Sequence, residues 1–155
     1  MLPFFLILCL TLLIYLSYQD YSYRHLSNKG VGSLALLTGV LTTLAIVSGQ
    51  YESGWWLLSQ PLSVLGIGFG LFVFGVCGAG DVKLLAAIAP AISPDYWLAT
   101  LILIAILGGL LALLYLVYGW YYNKLEQVKK RGLPYGIAIA SAGSLGMTAS
   151  VFIKI

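Results

Sequence analysis

Charge is what this sequence has least of. Only 8% of its 155 residues are Asp, Glu, Lys or Arg, against about a quarter in a soluble domain, so a soluble globular protein is excluded. The net charge of +3 is too small to attract a polyanion, and no nucleic-acid partner is expected. Histidine occurs once, at His25, and cysteine twice, at Cys9 and Cys77, without CxxC or Cys/His spacing. One imidazole and two distant thiols cannot complete a zinc site, so no metal is expected. Both cysteines read as small buried hydrophobes rather than disulfide partners. His25, beside Arg24, reads as facing solvent or lipid headgroups. No serine or cysteine has an evident base partner for nucleophilic catalysis. Polar stretches long enough to fold an extramembrane domain are also missing, so any chemistry must lie in the membrane or at its surface.

What the sequence has is apolar runs. It is 61% hydrophobic with a mean hydropathy of +0.98, enough for about six spans of roughly 20 residues. The expected fold is all-α and polytopic, a single transmembrane domain over residues 1–155. The first run, from Leu2 to Gln19, has neither a basic flank nor an A-x-A site and is followed by five more, so it reads as a retained helix. The others run from about Val31 to Ser48, Leu57 to Val76, Asp81 to Ser93, Tyr96 to Tyr121 and Pro134 to Phe152. Small residues predict packing faces: Gly32, Ala35 and Gly39 in the second span, and Gly136, Ala140 and Ser144 in the sixth. Gly66 and Gly70 form a GxxxG pair that reads as a packing motif rather than a nucleotide loop, since no strand precedes it. Trp55-Trp56 and Trp120-Tyr121-Tyr122 mark interfaces. The fourth run is short for a crossing, so part of its glycine-rich approach is expected at membrane depth, which suggests a watery pocket near Asp81.

Basic residues set the orientation. With alternating spans, Arg24, Lys29, Lys83, Lys124, Lys129, Lys130 and Arg131 fall on one side and Lys154 on the other, together with Glu52 and Asp95. The positive-inside rule then puts the N-terminus outside and the first, third and fifth loops in the cytoplasm. Lys129-Lys130-Arg131 reads as a topogenic, headgroup-binding patch, with docking of a cytoplasmic partner as the alternative. One consequence is that Asp20 and Asp81 share the cytoplasmic side.

These two acids are the candidate site. Asp20 ends the first apolar run and Asp81 stands among the glycines and alanines of Val76–Leu85, and an ionisable group at membrane depth costs about 2.5–3.5 kcal/mol. Two carboxylates brought within a few ångströms share a proton. One can then take a proton from attacking water while the other polarises a carbonyl, which is the logic of aspartic proteolysis. The structural alternative is that Asp20 caps a loop beside Arg24 and Asp81 is an N-cap paired with Lys83.

Three motifs resemble the type IV prepilin peptidases. Gly78-Ala79-Gly80-Asp81-Val82-Lys83-Leu84 matches their GxGDxKL signature. Asp20–Asn28 looks like their first-aspartate loop, with Leu26 and Ser27 in place of Ile-Pro. Leu133–Ala140 resembles the Pro-Tyr-Gly-x-Ala-Ile-Ala element of the short branch that serves Flp pili. The resemblance implies a bacterial inner-membrane, multi-pass aspartic endopeptidase. It would cleave the short basic leader of prepilins or pseudopilins at the cytoplasmic face, with Asp20 and Asp81 catalytic. Gly78, Gly80, Lys83 and Asn28 carry over as supporting motif positions, Lys83 being expected to pair with Asp81 or a substrate carboxylate. The cytoplasmic methyltransferase domain of larger members has no counterpart here, so N-methylation is not implied. No cofactor is required, because water is the nucleophile. The rival readings are a non-catalytic subunit or scaffold of pilus assembly, and a small proton-coupled transporter.

Overall fold

A computed structural model describes residues 1–51, 54–75, 77–122, 126 and 133–153. Glu52, Val76, Lys124, Lys129, Lys130, Arg131 and Lys154 lie outside the described residues, and with them the basic patch. Six helices carry the described chain: α1 (Leu2–Tyr23), α2 (Asn28–Val47), α3 (Trp56–Val73), α4 (Ala79–Ile88), α5 (Pro94–Tyr121) and α6 (Tyr135–Phe152). Five of them are long and apolar enough to cross a membrane, and α4 is the exception. This is an all-α polytopic membrane protein.

Packing follows seams of 3.5-residue period. The buried residues of α1 are Leu2, Leu6, Cys9, Leu13, Leu16 and Asp20, alternating four and three apart as knobs between neighbouring helices do. Asp20 is therefore the next position of a hydrophobic seam. On α2 the seam is Val31, Leu34, Thr38, Leu41, Thr42 and Ala45. The small-residue face expected on α2 points outward instead: Gly32 and Ala35 are exposed, and a side chain at Gly32 or Gly39 would meet nothing within 4 Å. The larger side chains at seam spacing make the interface, and the small residues lie on the outer face.

The GxxxG expectation on α3 is corrected in the same way. Gly66 and Gly70 face open space, whereas Gly68 lies directly against Val82 of α4. α6 is the central helix and packs on α1, α4 and α5. It can do so because its glycines give way on several sides: Gly136 to Asp20, Gly143 to Ile88 and Gly146 to Thr100. Gly136 and Ala140 are buried as expected, but Ser144 is only partly so.

The short fourth element is broken at its far end, while the described residues of its glycine-rich approach, Phe74, Gly75, Cys77 and Gly78, lie outside any helix. α4 runs into a 3₁₀ turn, Ala89–Ala91, where Pro90 cannot continue the hydrogen-bond ladder. Carbonyls freed at membrane depth must find partners, and side chains from two neighbouring helices and the chain just beyond α2 supply them. Thr38 donates to Ala87 O at 2.6 Å, Thr42 to Pro90 O at 2.8 Å and Tyr51 to Ala91 O at 2.9 Å. Gln60, its amide turned to donate, reaches Ala89 O at 3.0 Å and Ile92 O at 3.3 Å. Ser150 accepts from the Ser93 N–H at 2.9 Å. The C-terminal end of α4 is thus fixed, and its N-terminal end, with Asp81, projects toward the opposite face.

Candidate active site

α1 continues past the expected end of the first span to Tyr23, so Asp20 sits in its last turn and not in a loop. The turn is closed by Arg24 in the left-handed conformation (φ 53°), whose N–H bonds Asp20 O at 3.0 Å. The Arg24 guanidinium lies 5.8 Å from the centre of the Tyr115 ring of α5, a cation–π contact that ties the two helices. His25 is exposed. Leu26 is buried, and a Cβ at Gly80 would come within 3.2 Å of its Cδ1. The first loop therefore packs onto the first turn of α4 through the second motif glycine. Ser27 is the N-cap of α2, accepting from the Gly30 N–H at 3.4 Å. That contact shows how serine starts a helix where the related motif has proline.

On α4, Gly78 is the N-cap and Asp81 lies in the first turn, so the N-cap expectation for Asp81 is corrected by three residues. A Cβ at Gly78 would fall 2.9 Å from Asp81 Oδ2. Glycine there lets the carboxylate turn back toward the backbone N–H of residue 78 and the positive end of the helix. Because Leu26, in the loop after Asp20, lies against Gly80, next to Asp81, the two acids, remote in sequence, stand at the same end of the bundle.

Asp20 Oδ2 accepts a buried hydrogen bond of 2.9 Å from the Gly136 N–H. Each acid is thus offered a helix N-terminus, Asp20 that of α6 and Asp81 that of α4. Gly136 was expected as a packing residue and as part of a resembling motif. Its N–H contact with Asp20 had no signal in the sequence. Lys83 pairs neither with Asp81 nor with any other acid among the described residues. It donates to Asn28 Oδ1 at 3.2 Å in an exposed bridge between α4 and α2. Asn28 is the first residue of α2, so it too stands at this end of the bundle. Cys9 is fully buried as expected, whereas Cys77, next to Gly78, is only partly buried, and both are free thiols. A cavity of about 480 Å³ lies at the opposite end of the bundle, lined by Tyr51, Trp56, Asp95 and Ser150 among others.

A bundle of apolar helices thus gathers two carboxylates and two helix N-termini at one end, a candidate acid-pair site in a membrane protein. Residues 7–113 match the Type IV leader peptidase family, and the chain belongs to that family. The matched segment holds both acids and ends before α6. No curated protein and no solved structure matches the chain.

Proposed function

We propose that this protein is an aspartic endopeptidase of the bacterial inner membrane that removes the short basic leader of Flp-like prepilins or pseudopilins at the cytoplasmic face. The observation that carries the reading is that Asp20, in the last turn of α1, and Asp81, in the first turn of α4, stand at one end of the bundle, where Leu26 of the loop after Asp20 packs on Gly80 beside Asp81.

Two nearby carboxylates avoid double ionisation by sharing one proton. The ionised member takes a proton from water as the water oxygen adds to the scissile carbonyl carbon. The protonated member gives its proton to the carbonyl oxygen. On collapse the acid that took the water proton passes it to the departing amine, while the other takes back a hydroxyl proton, leaving the carboxylic acid product and the pair with its one shared proton. Helix N-termini at both acids stabilise the single negative charge that the pair retains. A basic leader is attracted to that charge. The bilayer covers the apolar flanks, and the substrate's scissile bond must come to the membrane face where the acids lie.

The test is co-expression with a leader-bearing pilin-like substrate, scored by the size shift on cleavage. Wild type is expected to cleave, and Asp20→Asn and Asp81→Asn to insert normally but leave the leader in place. Cleavage by both variants at the wild-type rate would refute the reading and favour a non-catalytic scaffold or a proton-coupled transporter.

A further inference from the structure

Asp20 is held by a helix outside the segment that carries both acids. α6 begins at Tyr135, so Gly136 is its second residue. Its N–H is among those that have no partner inside the helix. That N–H reaches Asp20 Oδ2 across 116 residues of sequence at 2.9 Å, and the partial positive charge of the helix end faces the same oxygen.

Space makes glycine necessary here, since Gly136 is not one of the positive-φ residues. A Cβ at this position would lie 2.7 Å from Asp20 Oδ2 and 3.0 Å from both its Cβ and its Cγ. Asp20 cannot retreat from such a methyl, because it occupies the buried seam of α1. The start of α6 is fixed as well: Pro134 is fully buried, and the Tyr135 ring lies directly on Gly108 of α5. Among the described residues no other hydrogen-bond donor reaches the Asp20 carboxylate, so Oδ1 is the oxygen left for water.

We infer that Gly136 is a positioning residue for the reaction: its N–H and its missing side chain pin Oδ2 of Asp20 and present Oδ1 to the reacting water. The inference rests on the reading of Asp20 as catalytic. Gly136 acts through its contact with Asp20, so its loss is expected to lower kcat and leave KM unchanged.

The test compares wild type, Gly136→Ala, a backbone ester at residue 136 (glycolic acid in place of the glycine) and Asp20→Asn in the cleavage assay. The ester removes the N–H without adding a methyl, which covers the case in which Gly136→Ala does not assemble. The ester is expected to lose about 10- to 100-fold in kcat, the range for one charge-assisted hydrogen bond, with KM within twofold. An inactive Asp20→Asn beside an ester variant with wild-type kcat would overturn the inference and leave the proposed function standing. An active Asp20→Asn would overturn both. Should wild type cleave none of the substrates supplied, the infrared carboxyl band of Asp20 in membranes, assigned by subtracting Asp20→Asn, decides. A shift of that band in the ester variant supports the inference, and an unmoved band refutes it.

Discussion

The three glycines of α3 give opposite predictions for one chemical change. Gly66, Gly68 and Gly70 stand two residues apart in the same helix, and each can be replaced by alanine. At Gly66 and Gly70 the new methyl enters open, lipid-facing space. The backbone gains from alanine's better helix propensity, which is worth at most about 1 kcal/mol. At Gly68 the methyl drives into Val82 of α4, within 2.9 Å of Cγ2 and 3.2 Å of Cβ. Valine cannot swing aside, because β-branching leaves it few χ1 choices in a helix, so α3 and α4 must move apart. Overpacking of this kind costs about 1–3 kcal/mol. Since Val82 follows Asp81, the shift also reaches the acid, and cleavage should fall along with stability. The assay is reversible unfolding in mixed micelles, read by tryptophan fluorescence, together with leader cleavage. Gly66→Ala and Gly70→Ala should match or exceed wild type, and Gly68→Ala should be destabilised by about 1–3 kcal/mol. If Gly66→Ala costs as much as Gly68→Ala, or if Gly68→Ala is as stable as wild type, the packing of α3 on α4 is wrong.

Thr38→Val with Thr42→Val removes two interhelical bonds to the broken end of α4. By the average of about 0.6 kcal/mol per such bond in membranes, with a ceiling near 1.7, the double variant should lose about 1–3 kcal/mol in the same unfolding assay. Lys83→Met breaks only the exposed bridge to Asn28, which is worth about 0–1 kcal/mol, so cleavage should stay within about threefold of wild type. A larger loss would mean that Lys83 contacts the substrate. Cys77 is partly buried and Cys9 fully so, so a membrane-impermeant maleimide should label Cys77 and spare Cys9 in folded protein. The label should reach Cys77 in inverted vesicles and not in intact cells. Labelling from the outside would reverse the orientation derived from the basic loops.

Much of the architecture was legible because membrane insertion is written into single-residue chemistry. The long apolar runs become helices within a few residues of their expected ends, since a backbone in lipid must close its own hydrogen bonds. The two acids stood out for the same reason, as rare charges in an apolar chain. Faces were not legible. In a soluble helix the polar side marks the outside, but here Asp20 of α1, Thr38 and Thr42 of α2 and Gln60 of α3 lie inside. The small-residue rule chose Gly32, Ala35 and Gly39 on α2 and Gly66 with Gly70 on α3, whereas Leu34, Leu41 and Gly68 make the contacts. The helical setting of Asp20 was hidden too, because Asp20-Tyr21-Ser22-Tyr23 reads as polar loop. It is the seam spacing from Leu16 and the turn closed by Arg24 that carry the helix to Tyr23.

By itself the sequence determined that the chain lies in a membrane, where its long helices run, and which two carboxylates are out of place there. The GxGDxKL stretch already named the family that the match over residues 7–113 assigns. Only the tertiary structure decided which helix faces meet, that the fourth helix is broken at Pro90 and clasped by Thr38, Thr42 and Gln60, and that Asp20 is held by the Gly136 N–H. The physical reason is that burial and backbone satisfaction within a helix are local and can be read from composition. Which donor reaches a given carboxylate depends instead on how close two helices come, and that is set by every side chain between them.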